Sequence, residues 1–214
     1  MKKRMLGLAI AAALTAPVAA HATLFTFNAT LSGANERPNP VSTSGNGLAT
    51  LQYDDNGTVG NLLDDSFSVA VAGFDLTGPP TGYHIHAAAN TNETAPVRIN
   101  FENAPFTSTV FGNNIIIGGN TSVTNPELTS LTDGMIPPTN ATATNQGYPS
   151  MPFLEALQSH LAYVNIHTEL NPSGEIRGQL LQVQAIPEPE TYALMLAGLG
   201  LVGWAASRRR KLQA

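Results

Sequence analysis

Cysteine is absent from all 214 residues, so the chain has no disulfide, no thiolate nucleophile and no zinc–thiolate site. Stability must come from a packed core or from ions held by nitrogen and oxygen. Positive charge is nearly as scarce. Between residues 23 and 186 the only basic residues are Arg37, Arg98 and Arg177, with no lysine, against thirteen carboxylates, while the whole chain carries a net charge of −5. So acidic a stretch has no electrostatic means of gripping a phosphate backbone, which excludes nucleic acid as a partner. Long apolar runs are confined to the two ends.

Residues 1–22 open with Met1-Lys2-Lys3-Arg4-Met5, run apolar from Leu6 to Leu14 and finish Ala19-Ala20-His21-Ala22. A basic start, a short apolar segment and small residues at alternate positions read as a secretory signal peptide cut after Ala22 by signal peptidase. The apolar run is short for a first membrane helix. At the other end, Pro187-Glu188-Pro189-Glu190 precedes an apolar stretch expected to form a transmembrane helix over about 191–207, followed by Arg208-Arg209-Arg210-Lys211. Arginines beside an apolar segment stay on the cytoplasmic side, which leaves everything before Pro187 outside. Pro187, Glu188 and Pro189, the apolar stretch, and Arg208, Arg209 and Arg210, in that order over 187–211, resemble the PEP-CTERM sorting signal of Gram-negative bacteria. The resemblance implies recognition by an exosortase, a membrane transpeptidase. It also implies export across the inner membrane, a transient membrane anchor through the C-terminal helix, and delivery to the cell surface or extracellular matrix. Extracellular polysaccharide or a surface protein is then the expected partner; a permanent tail anchor is the alternative.

Between the ends, one domain over 23–186 alternates short β-rich runs with turn residues. Runs at 23–31, 47–53, 66–74, 82–86, 95–101, 161–168 and 175–183 read as strands, and a return strand is expected to begin within 59–63. Asp54-Asp55-Asn56-Gly57, Gly78-Pro79-Pro80 and Asn171-Pro172-Ser173-Gly174 supply turns. The first of these lacks the closing glutamate and alternating ligands of a calcium loop and reads as a surface turn. From about 102 to 152 the composition shifts to Asn, Thr, Pro and Gly around Ile115-Ile116-Ile117, which reads as a long polar insertion with one hairpin. Helical spacing at 151–160 supports one short helix. The pattern is all-β: an antiparallel β-sandwich or Greek-key barrel.

Two stretches carry the candidate chemistry. In Gly82-Tyr83-His84-Ile85-His86, strand alternation puts His84 and His86 on one face, and in Tyr163-Val164-Asn165-Ile166-His167-Thr168 it puts Tyr163, Asn165 and His167 on one face. Three imidazoles converging from a rigid sheet suit zinc or copper, with Glu36 or Glu175 as an oxygen donor and Asn165 orienting His167. The same three can instead form a buried hydrogen-bonded network with no metal. Arg177 is expected to reach Glu36 or Glu169 in a bidentate pair, so that Asn165, Arg177 and Glu169 extend the polar network. His160 reads as a helix-end residue. No serine lies in a nucleophile-elbow motif, and no catalytic residue is assigned.

Leu31-Ser32-Gly33-Ala34-Asn35-Glu36, Tyr83-His84-Ile85-His86, Tyr163 to Thr168, and Pro172-Ser173-Gly174-Glu175-Ile176-Arg177-Gly178-Gln179-Leu180, taken in order, resemble the CHRD domain, a module also found in bacterial secreted proteins. The resemblance implies a fold more than an activity. Gly82-Tyr83-His84-Ile85-His86 is also similar to the Gly-x-His-x-His strand of Cu/Zn superoxide dismutase. The expectation is a secreted or surface-delivered, non-enzymatic β-sandwich module that binds matrix, protein or metal. Its rival is a copper- or zinc-dependent oxidoreductase using His84, His86 and His167.

Overall fold

A computed structural model describes residues 22–58, 60–142, 145–183, 195–202 and 208. The signal peptide expected over 1–22 and the sorting residues Pro187, Glu188, Pro189, Arg209 and Arg210 lie outside the described residues, apart from Ala22. The chain divides into two units, 1–183 and 184–214.

The first unit is mostly β. Its strands are β1 (Leu24–Ser32), β2 (Asn46–Asp54), β3 (Ser66–Phe74), β4 (Pro80–Ala87), β5 (Val97–Asn100), β6 (Thr107–Val110), β7 (Ile115–Ser122), β8 (Met135–Ile136), β9 (Ala141–Thr142), β10 (Asn145–Gln146), β11 (Met151–Pro152), β12 (Ala162–Thr168), β13 (Ile176–Gln179) and β14 (Leu181–Val183). One helix, α1 (Phe153–Gln158), precedes β12. The main sheet runs β5-β4-β12-β13-β1-β2-β3-β7-β6, with β14 also on β1. Every pairing in it is antiparallel. The path ends at β5 and β6 without closing, so the sheet is an open, curled half-barrel.

Alternation dictates what the curl encloses. Phe27, Ala29 and Leu31 of β1, Ala49, Leu51 and Tyr53 of β2, and Phe67, Val69 and Val71 of β3 all turn inward and are buried. Each large side chain so buried is worth about 1.5–3 kcal/mol. Helix α1 fills the hollow with Phe153, whose ring lies 6.1 Å from that of Tyr53 and 5.7 Å from that of Phe67. It stops at Ser159, and His160 takes a left-handed φ of 58° that turns the chain into β12. At β1 the partner changes: Ser32 pairs with Arg177 of β13, whereas Thr26 to Asn28 pair with β14. Leu180, between the two, is fully buried.

Two details depart from the sequence reading. Among the described residues of 59–63 there is no strand, and the return strand starts at Ser66. In the segment 102–152, β6 and β7 pair as a hairpin, and beyond the reading β7 also pairs with β3 from Ser66↔Ser122 to Gly73↔Ile115, so the segment extends the main sheet. Phe106, Ile115, Ile117, Val123, Leu128 and Ile136 from this segment are buried in the core.

The second unit corrects the reading of the C-terminal end. Its described helical run is 195–202, which at 1.5 Å per residue reaches about 12 Å against a hydrocarbon thickness of about 30 Å. No helix among the described residues is long and apolar enough to cross a membrane. Gly198 and Gly200 fall inside the apolar run, and glycine weakens a helix. The transmembrane helix expected over about 191–207, and with it the inner-membrane anchor inferred from that helix, are therefore not found among the described residues.

Candidate metal centre

Strands β4 and β12 are neighbours, with His86 opposite Tyr163, His84 opposite Asn165 and His167 opposite Gly82. Ile85, Val164 and Ile166 turn into the core, so the other face of both strands carries the histidines. Gly82 makes room for them, since a Cβ there would stand 2.9 Å from Cε1 of His84. Ring centroids are 5.7 Å apart for His84 and His86, 5.2 Å for His84 and His167, and 6.0 Å for His86 and His167. One ring nitrogen from each histidine lies within 4.8 Å of the other two.

Hydrogen bonding divides each ring into a held side and a free side. Nδ1 of His86 is 2.8 Å from the Ala95 carbonyl oxygen, and Nδ1 of His167 is 3.0 Å from that of Pro172. Carbonyls only accept, so both Nδ1 atoms carry the proton and both Nε2 atoms keep a lone pair. Nε2 of His84 faces Oε1 of Glu102 at 3.4 Å. The remaining nitrogens, Nδ1 of His84 and Nε2 of His86 and His167, are buried with no hydrogen-bond partner among the described residues. Burial lowers all three pKa values, that of His86 to about 3, so the rings are neutral at pH 7. Neutral imidazoles with unused lone pairs form a cluster able to coordinate a metal ion.

The expected oxygen donors are not in this group. Glu175 is fully buried and accepts from Thr43 Oγ1 at 2.6 Å, Thr77 N at 2.7 Å and Thr168 Oγ1 at 2.6 Å. Burial alone raises its pKa, but these hydrogen bonds outweigh it and hold the carboxyl below the usual range. Glu36 sits 3.4 Å from Nδ2 of Asn165, and burial pushes it up to about 7 despite the attraction of Arg177. Asn165 thus reaches Glu36, and His167 is held by Pro172 instead. His160 is exposed on its turn.

Arg177 makes no carboxylate pair among the described residues. Its guanidinium donates to the backbone carbonyls of Glu93 at 2.6 Å and Asn90 at 2.9 Å and to Oε1 of Gln179 at 3.3 Å, and Glu169 lies exposed elsewhere. Sequence reasoning missed Glu102. It lies two residues beyond the end of β5, and the pairing of Asn100 with His84 that brings it to the ring is not written in the sequence.

A scan of family models matches the CHRD domain over residues 27–180 and the PEP-CTERM protein-sorting motif over residues 185–211. No curated protein and no solved structure matches the chain. All three histidines and the paired strands that carry them fall within the first match. The chain belongs to the CHRD domain family and ends in a PEP-CTERM sorting motif.

Proposed function

We propose that this protein is an exosortase-sorted, extracellular metal-binding module whose CHRD domain holds one zinc or copper ion through His84, His86 and His167. The observation that carries the reading is the set of three buried, partnerless ring nitrogens, one on each histidine. A purely structural network would pair those atoms, because each one left unmade costs about 1–3 kcal/mol. Three such costs rival the net stability of a domain, about 5–15 kcal/mol, and an ion shared by all three removes them together. Zinc–imidazole bonds of about 2.0–2.1 Å put tetrahedral donors about 3.4 Å apart. Donors within 4.8 Å therefore need to close by up to about 1.4 Å. The chemistry of the set, nitrogen without sulfur, suits zinc or copper over calcium or magnesium.

Export fits this reading. The sorting motif implies exosortase processing, and the absence of cysteine removes competing thiolate ligands. Binding, with the domain placed in the matrix by its address, is the role proposed. Equilibrium titration of the protein with zinc and with copper should show one equivalent bound. His86→Gln should lose it while the metal-free protein still folds. If the wild type takes up neither ion after stripping with chelator, the reading is overturned.

A further inference from the structure

The metal reading leaves open which nitrogen of His84 faces the ion, and the structure bears on that through a residue outside the histidine cluster. His86 and His167 each spend Nδ1–H on a backbone carbonyl and leave Nε2 free. In His84 the pattern is reversed: Nδ1 is the buried, partnerless atom, and Nε2 points to the Glu102 carboxylate at 3.4 Å. We infer that Glu102 is the positioning residue of the centre: its carboxylate fixes the Nε2–H tautomer of His84, so that the ion is bound by Nδ1 of His84 together with Nε2 of His86 and of His167. This rests on the metal-binding reading above.

Three observations converge on the assignment. The strand pairs His84 with Asn100, whose Oδ1 accepts the Glu102 backbone N–H at 2.8 Å, so the carboxylate is set from the same strand that borders the histidine. Gly82 is open toward both groups: a Cβ there would stand 2.9 Å from Cε1 of His84 and 3.4 Å from Oε1 of Glu102. Exposure also differs. The His84 side chain is 17% exposed and that of Glu102 38% exposed, which places the carboxylate on the solvent side of the ring and the free Nδ1 on the buried side. A shift of a few tenths of an ångström brings Nε2 and Oε1 into hydrogen-bond range. A ligating histidine whose second N–H is taken by a carboxylate is a better donor, and loss of such a partner lowers affinity about 10–100-fold.

The alternative role for Glu102 is direct ligation through oxygen, with His84 turned to bind through Nε2. Zinc titration of wild type, Glu102→Ala and Glu102→Gln separates the two. Glutamine still offers a carbonyl oxygen to Nε2–H but is a poor zinc ligand. Glu102→Ala should weaken zinc about 10–100-fold, and Glu102→Gln should recover most of that loss. Nitrogen-15 correlation spectra of the histidine rings should show His84 protonated at Nε2, and His86 and His167 at Nδ1, in the zinc-bound wild type. Equal losses in both variants, an unchanged affinity in Glu102→Ala, or a His84 ring protonated at Nδ1 would each overturn this assignment while leaving the metal site standing. A wild type that binds neither zinc nor copper would overturn the metal reading and this assignment with it.

Discussion

His86 lies flat on Tyr163, with ring centroids 4.9 Å apart and planes within 2° of parallel. The guanidinium of Arg177 lies 3.5 Å from the centroid of the same tyrosine ring. Because β12 runs between β4 and β13, the imidazole reaches the tyrosine from one side and the guanidinium from the other. The stack sets the plane of His86, and the Ala95 carbonyl sets its rotation.

The stack can therefore be tested apart from the ligands. Tyr163→Phe keeps both ring contacts and loses only the hydroxyl that accepts the Ala95 N–H at 3.2 Å, so zinc affinity should hold within about threefold and stability should fall by about 1 kcal/mol. Tyr163→Leu removes the flat surface, and affinity should fall well beyond the phenylalanine value. Zinc titration and urea unfolding of the two variants check this. Equal affinities would mean that the stack does not orient His86.

Proton linkage gives a prediction for the metal-free protein. An unfolded histidine titrates near 6.5 and folded His86 near 3, so between those values the unfolded chain binds more protons and stability rises with pH. His84 and His167 act in the same direction, each contributing up to about 1.4 kcal/mol per pH unit inside its own window. Glu36 opposes them: its pKa rises from 4.5 to about 7 on folding, so between those values its contribution falls as pH rises. Asp65, also raised by burial, opposes in the same sense, and the three histidines outweigh the two carboxylates. Melting temperature in chelator should climb from pH 4.5 to 6.5, and His86→Gln should flatten the climb; a curve that is level or falling over that range would contradict the burial of neutral imidazoles.

Much of this was legible in the sequence, and the failures share a cause. Strand β3 was readable to the residue, because Ser66 to Phe74 alternates cleanly and a Gly-Pro-Pro turn follows. The common face of His84 and His86 followed from alternation alone. That β4 and β12 are neighbours did not, since no local pattern reports pairing between distant strands. Strand β7 was legible only in its first half: Ile115 to Ile117 pointed to a hairpin, but Gly118, Gly119 and Asn120 are poor strand formers, and tertiary pairing with β3 holds them extended. Charge counting pointed Arg177 at Glu36 or Glu169, whereas its principal partners are backbone carbonyls, which carry no signature in sequence.

The division of the chain at residues 183 and 184 predicts independence of the first unit. A protein ending at Ile186 keeps every strand and core residue found among the described residues, so its melting temperature and zinc affinity should match those of the chain carrying the sorting motif. A loss of cooperative unfolding on that truncation would show that residues beyond 186 complete the fold.

Arg177 connects these threads, because the loop it fastens is the one that holds His86. It is 2% exposed, and its donors reach Glu93 and Asn90, in the loop that also contains Ala95, whose carbonyl takes the Nδ1–H of His86. Lysine keeps the charge but replaces a planar fork with a single ammonium that cannot reach all of these acceptors or lie flat on Tyr163. Each buried carbonyl left without a donor costs about 1–3 kcal/mol. Arg177→Lys should therefore destabilise the metal-free protein by about 2–4 kcal/mol, and amide exchange should quicken first in residues 88–96. Zinc affinity should fall as well, since freeing that loop lets the His86 ring turn. Exchange that quickens evenly across the sheet, with affinity unchanged, would show that Arg177 serves the core alone and leaves the histidine cluster to hold itself.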